Sequence, residues 1–150
     1  MKLAEALQAR ADLARRTDAL KSRLAHNALV QEGETPAEAP ASLLAEFDDC
    51  VRQLEELLTR INMTNCRTLS DGVPLTALLA RRDTLRLRID GYRTLAAEAS
   101  SAARRATRSE IRILPTVDVA ALQKTIDDTA KELRLLDNRI QEINWTTELL

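Results

Sequence analysis

Aromatic side chains are nearly missing, with Phe47, Tyr92 and Trp145 the only three in 150 residues. Few bulky rings are thus available to fill a wide core, and the elements are expected to pack closely in parallel layers. Glycine is scarce as well, at three residues. A chain dominated instead by Ala, Leu, Arg and Glu favours long helices, because these side chains lose little freedom in a helix.

Histidine occurs once, as His26, and cysteine twice, as Cys50 and Cys66. One histidine builds no triad with either thiol on sequence grounds, and no His/Cys metal spacing is present. No Glu-x-x-His helix motif, GxGxxG, Walker-type or GxSxG pattern occurs. The sequence therefore assigns no catalytic residue, no metal ligand and no cofactor, and His26 reads as helix-end surface or capping. Both cysteines fall on one predicted helix, about 24 Å apart at 1.5 Å rise per residue, so they cannot bridge within the chain. Reduced thiols fit a cytoplasmic protein.

No apolar run approaches the roughly 18–20 residues that span a bilayer. The opening Met1-Lys2-Leu3-Ala4-Glu5 is interrupted by charge and reads as helix, not as a signal peptide. Strong charge of one sign is also lacking, since the formal net charge is −1. With no aromatic stacking partners beside the basic third segment, no nucleic acid is expected as a partner.

What is present is a repeat. Leu3, Ala6, Leu7, Leu13, Ala14, Leu20 and Leu24 form one stripe, which Arg10 and Thr17 share. Leu44, Phe47, Val51, Leu54, Leu58, Ile61 and Asn65 alternate spacings of three and four, and Leu43, Cys50 and Leu57 widen that face. Leu75, Leu78, Arg82, Leu85, Ile89, Tyr92, Ala96, Ala99 and Ala103 follow the same rule. So do Val119, Leu122, Ile126, Thr129, Leu133, Leu136, Ile140 and Ile143. Four such segments predict an all-α single domain over 1–150, an up-down bundle of four long amphipathic helices with coiled-coil-like packing. The helices are placed at about 2–29, 40–66, 74–108 and 118–145.

The breaks agree with helix chemistry. Thr35-Pro36-Ala37-Glu38 has the form of a capping box, with the regular helix beginning near Pro40. Ser70-Asp71-Gly72-Val73-Pro74 is a turn, and Asp118 an N-cap. Leu29-Val30-Gln31 and Glu110-Ile111-Arg112-Ile113-Leu114 are candidates for a short two-stranded clasp at one end. Consecutive segments alternate in charge, from +3 (six basic, three acidic) over 1–30 to −6 (two, eight) over 31–66. The next two are +5 (nine, four) over 74–114 and −3 (four, seven) over 115–150. Antiparallel neighbours would show this pattern.

The third helix, if it continues to Arg108, outruns the others by roughly 10–15 Å. Its Ala-rich end asks for something to pack on, so a homo-oligomer is expected, with any further protein partner unknown.

In an up-down bundle one end would gather Arg10, Asn62, Asn65, Arg82, Asn144 and Trp145. Arg10, Asn65 and Arg82 sit where Leu is expected, and polar side chains on a core stripe cost stability unless paired. They read as a register-setting layer, as a pocket in which Arg10 and Arg82 hold an anionic ligand, or as side chains that simply reach out to solvent. The first reading makes the chain an interaction or scaffold protein that self-associates. The second makes it a ligand-binding or enzymatic bundle.

Several phrases carry a resemblance: Asn27-Ala28-Leu29-Val30-Gln31-Glu32-Gly33-Glu34, Arg60-Ile61-Asn62-Met63-Thr64-Asn65, Leu75-Thr76 with Arg82-Asp83-Thr84-Leu85, and Ile140-Gln141-Glu142-Ile143-Asn144-Trp145-Thr146-Thr147-Glu148-Leu149. With Ser109-Glu110-Ile111 and Asp118-Val119, the chain resembles a bacterial family of unknown function, some of whose members are labelled septicolysin-like. The resemblance implies a helical fold and a bacterial source, and brings no activity or catalytic residues. A secreted pore-former would want an export signal, which this chain does not show. Its apolar stripes fit a buried seam better than a membrane surface.

Overall fold

A computed structural model of the protein describes residues 1–102 and 111–150. Four long helices run through them: α1 (Leu3–His26), α2 (Pro40–Arg67), α3 (Leu75–Ser100) and α4 (Val119–Thr146). The only sheet among the described residues has two strands, β1 (Leu69–Ser70) and β2 (Val73–Pro74). The chain is all-α, as its periodicity predicts.

The helix ends follow local chemistry. Asn27 stops α1 three residues before the expected Leu29, because its side chain turns back on the chain. Its amide Nδ2 donates to the Arg23 carbonyl at 2.9 Å, and its Oδ1 accepts the Glu38 amide at 3.0 Å. Pro40 occupies the first turn of α2, where its missing N–H is not needed. Asp118 caps α4, its Oδ1 accepting the Ala121 amide at 3.0 Å. The described part of α3 ends at Ser100. The expected continuation to Arg108, with Ala103, Arg104 and Arg105, lies outside the described residues, as do Ser109 and Glu110.

The small sheet is not where the sequence suggested. Residues 29–31 form no strand, and 111–114 are irregular. Pairing occurs instead in the α2–α3 connection, where Asp71 and Gly72 take φ values of 51° and 78°. Two successive left-handed residues are what a tight hairpin turn requires, and Asp-Gly is a favoured pair for it.

Contacts divide the chain into two compact units, Met1–Ser70 with Ile143–Leu150, and Asp71–Glu142. In the first, α1 and α2 are antiparallel, since Arg16 pairs with Glu46 at 2.7 Å and Arg23 pairs with Glu38. Leu20, Leu43 and Cys50 form a buried cluster against which Leu24 and Phe47 pack. In the second, α3 and α4 are antiparallel, because Asp71 before α3 meets Arg139 late in α4. At the other end, Leu95 and Ala99 share a cleft with Ile113 and Leu114, the segment leading to α4. Arg81–Glu132 at 2.6 Å and Arg86–Asp137 at 3.3 Å cross this seam. Helical spacing puts Arg81 and Arg86 on opposite flanks of the Leu85/Ile89 line, so one ion pair closes each side. The alternation of charge along the sequence thus becomes arginine–carboxylate pairing within each helical hairpin.

Candidate functional site

The six polar positions singled out by the sequence are spread over both units. Arg10 lies on α1, exposed, and makes no ion pair or side-chain hydrogen bond among the described residues. Asn62 is exposed and Asn65 half-buried on α2. Asn144, near the end of α4, is buried, while its neighbour Trp145 is 63% exposed. These five belong to the first unit. Arg82 belongs to the second, where its half-buried guanidinium is held at 2.9 Å by the adjacent Asp83. Its charge is thereby satisfied locally.

Near the polar end of the first unit lies an arrangement that the sequence did not foreshadow. The first and last residues are knitted together by backbone bonds, Leu3 N–H to the Thr147 carbonyl and Leu149 N–H to the Met1 carbonyl, both 2.9 Å. Glu148 accepts from Lys2 Nζ at 2.7 Å and from the Met1 ammonium at 3.1 Å. Thr64, 1% exposed, donates to the Arg60 carbonyl and accepts the Leu150 amide at 3.1 Å. Arg60 Nε adds a bond to the Leu150 carbonyl at 2.7 Å. Beneath this clasp Leu3 and Ala6 are fully buried. Residues some 86 to 147 positions apart meet here, and no local pattern announces such pairs.

The hydrogen bonds from Lys2 and the Met1 ammonium hold the Glu148 carboxyl below its ordinary value near 4.5. A carboxylate with a depressed folded pKa contributes stability above its unfolded pKa, and loses it as pH falls through the folded one. Wild type is therefore expected to exceed Glu148→Gln in thermal stability at neutral pH. The gap should close on acidification below the ordinary glutamate range, as read by circular dichroism melts across pH.

The apolar surfaces are more informative. On α2 the stripe facing the core is Leu43, Cys50, Leu57 and Thr64, all buried. One residue further round, Leu44 (51%), Val51 (41%) and Leu58 (36%) stay exposed. Both sets recur every seven residues, so α2 carries two adjacent seams, of which its partner α1 covers one. The sequence showed this only as a face widened by Leu43, Cys50 and Leu57. On α3 and α4, by contrast, the expected stripes are the buried ones, including Leu75, Leu85, Ile89, Ile126 and Ile140. Shallow grooves of about 250 and 280 Å³ flank the α3–α4 seam, one beside Arg86 and Arg93, the other beside Arg81 and Arg139.

Residues 10–149 match the profile of a family of unknown function, DUF6847. The chain belongs to that family. A solved structure described as a functionally unknown conserved protein from Corynebacterium diphtheriae is 41% identical. The two superpose with a TM-score of 0.94 over 100% of this chain and 99% of that one. No curated protein matches the sequence. Neither this DUF6847 match nor the solved structure carries a cytolysin description. No helix among the described residues is long and apolar enough to cross a membrane.

Proposed function

We propose that this DUF6847 member is a self-associating helical scaffold whose work is done by the surfaces it presents. The observation that carries the reading is the second seam of α2. Leu44, Val51 and Leu58 repeat with coiled-coil spacing and are left in water, where each exposed aliphatic side chain favours a partner surface. In this reading Arg10, Asn65 and Arg82, polar side chains on otherwise apolar stripes, favour one alignment over its neighbours. A cytoplasmic setting fits the two free thiols, Cys50 and Cys66.

Val51→Asp places a charge in the middle of the exposed seam without touching the buried one. Size-exclusion chromatography with light scattering is expected to show wild type as an oligomer and this variant as monomer. The helix content of the two should be equal. A wild type that elutes as monomer at all concentrations would sink the proposal. Leakage of dye from liposomes at micromolar protein would replace it with the membrane-active role that the septicolysin-like resemblance suggests.

A further inference from the structure

We draw no further inference here: the strongest candidate, the exposed Leu44, Val51 and Leu58 face of α2, belongs to the self-association reading already given, and nothing in the structure shows what covers it.

Discussion

Leu20→Ala is expected to destabilise the first unit by about 2–3 kcal/mol, the lower part of the range for truncating a buried leucine. Leu20 is 1% exposed and forms the centre of a cluster with Leu43 and Cys50. Truncation removes the transfer free energy of its isobutyl group and leaves a void that neighbours fill only in part. Two features hold the cost below the maximum. The core of this unit is thin, resting on two helices, and the half-buried Leu24 and Phe47 have room to lean inward. Alanine also suits the helix at least as well as leucine. The midpoint of thermal unfolding should fall by about 4–8 °C for each kcal/mol lost from a unit of this size, as read by circular dichroism. An unchanged midpoint would mean that the Leu20 cluster is not a core.

Ile140→Ala is expected to cost about 2–5 kcal/mol, and its consequences should reach further along the chain. Ile140 is 1% exposed and lies in the second unit, three residues before α4 enters the first at Ile143. Helix formation is cooperative, so weakening the seam at Ile140 also weakens the turns that follow it. Hydrogen exchange should therefore quicken at the amides of Ile143 and Thr147, and at Leu3 and Leu149, whose bonds to Thr147 and Met1 close the terminal clasp. Leu20→Ala should leave the α3 amides far less affected. Equal acceleration everywhere in both variants would show that the two units open only together.

The sequence made the helices legible because each carries its own periodicity. Leu75, Leu78, Leu85 and Ile89 on α3 repeat at spacings that only a helix places on one face, and they are buried. Asp118 and Pro40 mark helix starts through chemistry confined to a few residues. The α1–α2 and α3–α4 ion pairs were foreshadowed by the alternation of charge. Choosing between two adjacent stripes was a different problem. Leu44/Val51/Leu58 and Leu43/Cys50/Leu57 are both apolar and both heptad-spaced, so the period cannot say which of them meets α1. Only the position of the partner helix decides that. The terminal clasp was hidden for a related reason, since Lys2, Thr64 and Glu148 are unremarkable surface-type residues until the fold brings them together.

The polar candidates illustrate a further limit. Arg82 stands on a core stripe, and the sequence alone leaves its charge without a partner. The structure supplies one in the very next residue, Asp83. A one-residue step points away along an ideal helix, but a long guanidinium side chain can turn to reach it. Rules built on side-chain spacing miss such pairs, because they follow Cα direction and not the reach of arginine.

The most direct test of the scaffold reading is native mass spectrometry of the unmodified protein, purified gently from a bacterial host. A self-associating scaffold is expected to give a clean integer multiple of the 16.7 kDa chain, with no added mass lost on denaturation. A single-chain mass at every concentration would contradict it. So would a reproducible small-molecule adduct on a monomer, which would direct attention to Arg10, Asn65 and Asn144 as a ligand site instead.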